Sequence, residues 1–182
     1  DLTTGALKNR ITTGEGNVSD IVRLDEKKRQ IWFTAQAREA GRDPYFQHFY
    51  RIGFDGKGLT LLTPEVANHS VSLSPDGKYF VDTYSTPVSV LRDLNGKIVQ
   101  PLEKADVTRL LASGWRAPIP VTAKARDGKT DVYGLMYVPS KLDSTRKYPI
   151  INHIYPGPQS GSVGPRMFVP ARGDNQALAE LG

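Results

Sequence analysis

The feature that most limits how this chain can fold is a set of four short strand-like segments that occurs twice within residues 1–104. Each segment is rich in β-branched and aromatic residues and is bounded by Gly, Pro, Asn or Asp, the pattern typical of strands joined by tight turns. The first set covers residues 19–24, 30–35, 46–54 and 59–63, and the second covers residues 70–73, 78–84, 88–94 and 97–102.

The turns between these segments carry hairpin chemistry. Asp55-Gly56 and Asn95-Gly96 are strong hairpin signals, and residues 74–77 read Ser-Pro-Asp-Gly. Leu24 and Leu73 occupy matching places in the two sets. A repeat of roughly 40–50 residues with four antiparallel strands predicts β-propeller blades. The alternative is a β-sandwich without repeats. Because a propeller needs about four to eight blades, two blades predict that the chain is part of something longer.

The pattern changes after residue 104. Residues 104–113 carry apolar side chains at helical spacing, ended by Gly114, and a Pro-rich connector follows. Residues 121–126 and 131–139 then predict a hairpin across Asp127-Gly128. Residues 148–155 form an apolar run bounded by proline, which predicts a strand covered on both faces. Asp174 is predicted to cap a helix over residues 175–181.

Composition excludes several classes of protein and site. The 182 residues include no cysteine, which removes disulfides, thiolate nucleophiles and thiolate metal sites. No apolar run approaches the ~18 residues of a membrane-spanning helix. The net charge of +5 comes from scattered basic residues, so we predict no nucleic-acid partner. The densest run, Lys27-Lys28-Arg29, is interpreted as a solvated turn rather than a phosphate patch.

Familiar catalytic motifs are missing from the sequence. There is no G-x-S-x-G nucleophile elbow, and Ser162 lies between prolines in what we interpret as a surface loop. His48, His69 and His153 have no metal-ligand partner at i+3 or i+4. His48 and His153 are predicted to be hydrogen-bonded histidines within strands, and His69 to lie in a loop between blades. No phosphate-binding loop is present.

Tyr155 stands apart from this background. It ends the apolar run and begins a Pro-Gly-Pro turn. Functional groups of α/β sheets collect at the carboxyl ends of strands, and a phenol held by stiff prolines could donate a hydrogen bond to a developing oxyanion. The alternative is a tyrosine that only packs.

Residues 148–159, Tyr-Pro-Ile-Ile-Asn-His-Ile-Tyr-Pro-Gly-Pro-Gln, resemble a segment of the prolyl oligopeptidase family of serine peptidases. The hairpin and charged loop before them are placed as in that family, and the earlier repeats resemble the last blades of its propeller. Within the family, the chain is most similar to the dipeptidyl peptidase IV branch.

The resemblance implies a mostly β fold with some α/β. Residues 1–104 would form two terminal propeller blades, residues 105–120 a helix and linker, and residues 121–182 the first strands and a helix of an α/β-hydrolase domain. It also implies a Ser-Asp-His triad, whose members we expect beyond Gly182, so that the 182 residues alone would be inactive. Tyr155 matches the tyrosine that helps to form the oxyanion hole.

The implied parent is a serine exopeptidase that releases N-terminal dipeptides with Pro or Ala in second position. Its expected partner is a peptide substrate, homo-oligomerisation is an open alternative, and no cofactor or metal is expected. The compartment stays undecided, with a periplasmic or secreted parent under consideration. The alternatives are another branch, such as an acylaminoacyl-peptidase or oligopeptidase, and a non-enzymatic β-rich binding or scaffold module.

Overall fold

The computed structural model of the chain describes residue 1, residues 3–154 and residues 166–182. The chain divides into two compact units, which are considered separately below. The first comprises Asp1–Ala105 with Pro165–Phe168, and the second comprises Asp106–Gly164 with Val169–Gly182.

The first unit contains two four-stranded antiparallel sheets, each with its strands in chain order. The first sheet consists of β1 (Asn17–Asp25), β2 (Gln30–Gln36), β3 (Gln47–Gly53) and β4 (Thr60–Leu61). The second sheet consists of β5 (His69–Leu73), β6 (Tyr79–Tyr84), β7 (Val88–Asp93) and β8 (Ile98–Lys104). Both sets of strands expected from the sequence are therefore present, with small shifts at their ends.

The turns predicted from the sequence set the register of these strands. In the turn from β5 to β6, Ser74 Oγ donates to Asp76 Oδ1 at 2.7 Å, and Gly77 adopts the φ of +64° that closes it. The two sheets also match each other residue for residue at this point. Leu24 pairs with Ile31 across the first hairpin, and Leu73 pairs with Phe80 across the second. The correspondence of Leu24 and Leu73 is confirmed.

Two apolar clusters hold the first unit together. One lies on one face of the first sheet and contains Ile31, Phe33, Ala35, Tyr50 and Ile52. The other contains Trp32 and Phe49 of the first sheet, Leu62, which directly follows β4, and Phe80 of the second sheet. Because successive side chains of a strand point to opposite faces, Trp32 and Phe33 enter different clusters. Full burial of such a side chain contributes about 1.5–3 kcal/mol to the stability of the fold. Because the second cluster contains side chains of both sheets, it stabilises their packing against each other.

The turn between β7 and β8 sits directly against the first sheet. Gly96 has a φ of +84°, and a Cβ atom built there would lie 2.5 Å from the carbonyl oxygen of Leu62. Arg51 of β3 donates from Nη1 to the carbonyl oxygen of Leu94 at 3.3 Å and to Asn95 Oδ1 at 3.2 Å. This turn therefore requires glycine both for its backbone conformation and for its close approach.

The second unit contains α1 (Thr108–Ala112), the hairpin of β9 (Ile119–Lys124) and β10 (Asp131–Met136), and α2 (Asn175–Glu180). Asp127 Oδ1 accepts backbone hydrogen bonds from Lys129 and Thr130 at 2.8 and 2.9 Å, as an Asp-Gly turn requires. Asp174 precedes α2 as predicted, but its side chain makes no capping hydrogen bond. None of the described residues of this unit is buried.

Two predictions for this unit differ from the structure. The helix expected over residues 104–113 is shorter: β8 includes Lys104, and α1 covers only Thr108–Ala112. The strand expected over residues 148–155 is absent from residues 148–154. A strand of that composition depends on paired neighbours and on cover for both faces, and Ile150 is instead 94% exposed.

In the part of the chain that the structure describes, no helix is long and apolar enough to cross a bilayer.

Candidate functional site

The residue predicted to act on substrate, Tyr155, lies outside the described residues, and so does Ser162. The preceding segment is exposed at Ile150, Ile151 and Ile154. The role assigned to Tyr155 therefore remains a prediction.

His153, two residues before Tyr155, is exposed and its Nδ1 lies 2.8 Å from Asn175 Oδ1. Its predicted place in a strand is wrong, because no strand forms at residues 148–154. The predicted hydrogen bond is present, made to an amide at the start of α2. Among the described residues, this is the contact of a structural histidine.

The most densely interacting group of ionisable side chains lies instead in the second sheet. We call Glu65, His69, Asp82 and Arg92 the charged cluster. His69 Nδ1 lies 2.9 Å from Asp82 Oδ1, and Arg92 Nε donates to Asp82 Oδ2 at 2.9 Å. Arg92 Nη2 donates to Glu65 Oε1 at 2.6 Å and its Nη1 to the carbonyl oxygen of Gly96 at 2.8 Å. The side chains of His69 and Asp82 are fully buried.

Strand register brings three members of this cluster onto one face. His69 pairs with Tyr84, and Arg92 pairs with Phe80. Because every second residue of a strand points to the same face, residues 80, 82 and 84 lie on one side of β6. Asp82 therefore lies between His69 and Arg92 as a diagonal neighbour of each. His69 is buried and is the first residue of β5, so its predicted position in a loop between blades is wrong.

The cluster contains donors that could hold a metal ion, since ligand atoms of Glu65, His69 and Asp82 lie within 4.8 Å of one another. The guanidinium of Arg92, however, already binds one oxygen of each carboxylate. A fixed positive charge at that position disfavours a second cation. The donor set fits a closed ion network with Arg92 as its cation rather than a metal site.

The pair of His69 and Asp82 also resembles the histidine and acid of a hydrolytic triad. His69 Nε2, which would face the nucleophile in such a triad, lies 3.2 Å from the carbonyl oxygen of Glu65. Because both side chains are fully buried, no substrate can reach them. The cluster is therefore structural: removing one member would leave the other buried charges with fewer partners.

The electrostatics of the surrounding groups agree with this role. Burial lowers the pKa of His48, whose Nδ1 lies 2.9 Å from the carbonyl oxygen of Thr63. Arg42 Nη1 lies 3.4 Å from His48 Nε2, which fits a neutral ring with its proton on Nδ1. The predicted hydrogen-bonded role of His48 within a strand is confirmed.

Burial alone would raise the pKa of Glu65, but hydrogen bonding to Arg92 lowers it overall.

A second buried ion pair lies at the loop between β2 and β3. Arg166 Nε donates to Asp43 Oδ2 at 2.6 Å, and the guanidinium lies 5.0 Å from the ring centroid of Tyr45. The side chains are 5% and 13% exposed, respectively. Among the described residues, Arg166 Nη1 and Nη2 have no hydrogen-bond partner. This loop is therefore anchored by a charge distant in the sequence.

Sequence reasoning missed both ion networks. Asp82 pairs with Val90, and Arg92 pairs with Phe80. The one local signal was therefore a charged residue at a strand position whose cross-strand partner is apolar. The pairing of Asp43 with Arg166 joins residues 123 positions apart, for which no local pattern exists.

Comparison with known proteins identifies what this chain is similar to. Residues 2–90 match the family described as the N-terminal region of dipeptidyl peptidase IV. Dipeptidyl peptidase 8 of Homo sapiens is 30% identical over an alignment of 189 positions, which covers 94% of this chain and 20% of that protein. Dipeptidyl peptidase 4 of Arthroderma otae is 23% identical over 167 residues, covering 87% of this chain and 21% of that protein.

A solved structure gives the same picture. A crystal structure named as a "putative dipeptidyl aminopeptidase IV" from Bacteroides ovatus superposes with a TM-score of 0.74 at 27% sequence identity. The match covers 96% of this chain and 25% of the crystallised chain. The chain thus spans about a fifth of the curated relatives and a quarter of the solved relative.

Proposed function

Because the chain belongs to the dipeptidyl peptidase IV family, we propose that it supplies two propeller blades and the opening of the α/β-hydrolase domain of a serine exopeptidase. The observation that carries this proposal is the match of residues 2–90 to the N-terminal region of that family. These residues contain the whole first sheet and, from the second, β5, β6 and the start of β7. Strand order 1-2-3-4 within each sheet supports it, since that is the order of a propeller blade.

The substrate class follows from the relatives. Several are named dipeptidyl peptidases, so the proposed reaction is hydrolysis of the peptide bond after the second residue, preferentially when that residue is Pro or Ala. The 182 residues contain no G-x-S-x-G motif. In this proposal, the nucleophile, base and acid come from another part of a longer protein, and this chain contributes Tyr155.

In the proposed mechanism, a serine hydroxyl attacks the scissile carbonyl while a histidine takes its proton. The carbonyl oxygen becomes an oxyanion, and the Tyr155 hydroxyl donates a hydrogen bond to it. Such a donor acts mainly on the transition state, because it is aimed at the position where negative charge develops. Tyr155 is therefore expected to affect kcat far more than KM.

The test is Tyr155→Phe in the full-length peptidase, assayed with substrates whose second residue is Pro or Ala. Loss of one oxyanion donor lowers kcat by about 10²–10³-fold, and KM should change little. The matched control is Tyr148→Phe, which removes a hydroxyl that accepts a hydrogen bond from the Asp143 backbone at 3.0 Å. The control should retain kcat. An unchanged kcat in Tyr155→Phe would remove this tyrosine from the mechanism.

A second measurement tests the assignment to the dipeptidyl branch. Blocking the substrate amino terminus by acetylation should abolish turnover by an exopeptidase that recognises a free amine. Faster turnover of the acetylated substrate would assign the protein to an acylaminoacyl-peptidase or oligopeptidase branch instead. The purified 182-residue chain should cleave neither substrate, and measurable turnover by it would contradict the proposed division of the active site.

A further inference from the structure

The first sheet carries a basic cleft that the peptidase proposal does not use. The cleft has a volume of about 500 Å³ and lies where the turn between β1 and β2 meets the turn between β3 and β4. Four of its lining residues are cations and one is an acid: Lys28, Arg29, Arg51, Lys57 and Asp55. We call this feature the basic cleft.

Antiparallel pairing creates the cleft from charges that are scattered in the sequence. Gln30 pairs with Gly53, which places the Lys28–Arg29 turn beside the Asp55–Lys57 turn. The backbone N–H of Phe54 donates to the carbonyl oxygen of Arg29 at 2.9 Å and closes the contact between them. The run Lys27-Lys28-Arg29, interpreted from the sequence as a solvated turn, therefore supplies two of its residues to a shared concave surface.

Two of the four cations are held in position before any ligand arrives. Arg51 is fixed by its hydrogen bonds to the carbonyl oxygen of Leu94 and to Asn95. The guanidinium of Arg29 lies 5.2 Å from the centroid of the Phe54 ring. Such preorganisation reduces the side-chain entropy lost on binding.

The charge of the cleft is only partly neutralised internally. The carboxylate of Asp55, whose Oδ1 accepts the backbone N–H of Lys57 at 3.0 Å, offsets one of the four cations and leaves positive charge in excess. Within the described residues, no charged side-chain nitrogen of the four cations lies within 4.0 Å of a carboxylate oxygen. A concave surface with unpaired charge of one sign concentrates counter-ions of the opposite sign.

We infer that the basic cleft binds a small ligand carrying a multivalent oxyanion, such as a phosphoryl or sulfate ester group. Guanidinium forks match tetrahedral oxyanions in a bidentate manner, and lysines add point charges. The volume falls within the range of small-molecule sites and exceeds a single phosphate. A nucleic acid fits less well, since its recognition uses a longer basic stripe than the four cations of one cleft supply.

This inference is independent of the proposed peptidase activity, and its test uses the 182-residue chain. Pyrophosphate is titrated calorimetrically at about 10 mM salt, where the Debye length is about 30 Å. We expect saturable binding at one site. Arg29→Gln and Lys57→Gln should each weaken the affinity by about tenfold, the loss expected for one charge-assisted hydrogen bond.

The matched control is Lys27→Gln, which removes the same charge from the adjacent residue, outside the cleft lining. It should change the affinity by less than about twofold. Circular dichroism checks that each variant is folded, and Lys57→Gln serves if Arg29→Gln is not.

Three outcomes would overturn the inference. One is the absence of saturable pyrophosphate binding to the folded chain, and another is an equal loss of affinity in Lys27→Gln, which would indicate diffuse charge. The third is tighter binding of a single-stranded oligonucleotide that is insensitive to Lys57→Gln, which would indicate a nucleic-acid surface elsewhere.

Discussion

The first and second sheets have the same strand order but differ in what fills their inner faces. The first sheet is packed with apolar and aromatic side chains, among them Phe33 and Tyr50, whose rings stack with centroids 5.5 Å apart. The second sheet places His69, Asp82 and Arg92 in the equivalent interior, each at most 2% exposed. One topology is thus stabilised by two kinds of interior.

The two interiors respond differently to change. Apolar packing loses free energy as atoms are removed. Removing one member of a buried ion network costs more than the lost contact, because the other charges stay buried with fewer partners. Replacing one buried polar residue should therefore destabilise the second sheet more than the first.

The largest expected effect is that of Asp82→Asn. It removes the charge that Arg92 and His69 share, and loss of one partner of a buried pair costs about 3–5 kcal/mol of unfolding free energy. The control is Thr34→Val in the first sheet, where the buried Oγ1 has no hydrogen-bond partner among the described residues. Urea denaturation should show this control unchanged or more stable. Equal losses in both variants would refute the contrast between the sheets.

A smaller effect is expected when the second sheet is made to resemble the first. Combining Asp82→Leu with Arg92→Met replaces opposite charges by apolar groups. Relative to Asp82→Leu alone, the double variant should recover about 2 kcal/mol or more, because apolar replacement of a whole buried pair is often neutral. A double-mutant cycle in urea measures the coupling. Additive losses would mean that Asp82 and Arg92 stabilise the sheet independently.

The histidine of the first sheet predicts a dependence on pH. Burial lowers the pKa of His48 below its ordinary value of 6.5, so the unfolded chain takes up a proton at higher pH than the folded chain. The stability from neutral His48 is complete above pH 6.5 and is lost as pH falls towards its folded pKa, by at most about 1.4 kcal/mol per pH unit.

His48→Gln should flatten that decline when unfolding is followed between pH 7 and pH 5. Glu65 acts in a separate, lower window, because its pKa is lowered from 4.5 and its contribution disappears only as pH falls below that value. A His48→Gln profile parallel to that of the wild type would assign the decline to other groups.

The smallest effect separates burial from charge. Lys78 lies 3.6 Å from Asp76 in the β5–β6 turn, with side chains 74% and 52% exposed. Lys78→Gln should change the unfolding free energy by less than about 0.5 kcal/mol, as for other exposed pairs. Thermal melts that place its loss near that of Asp82→Asn would show that charge alone, not burial, governs the second sheet.

Much of the fold could be predicted because its signals are local. Alternating side chains and turn residues such as Asn95-Gly96 identify strands without knowledge of their neighbours. The charged cluster could not be predicted, since it depends on which residues become diagonal neighbours across three strands. The apolar run before Tyr155 shows the converse limit: its composition suits a strand, but only pairing can make one.

The seat of Gly96 against Leu62 bears on how such repeats can evolve. A duplicated unit of four strands would be freely interchangeable only if its loops were indifferent to the preceding copy. Here the turn at Gly96 of one copy packs against the backbone of Leu62 in the other, and the guanidinium of Arg51 in β3 donates a hydrogen bond to that turn. Shuffling or inserting a copy at this junction would have to carry the matching glycine and arginine together, so the two inherited halves are expected to diverge as a linked pair rather than as separate modules.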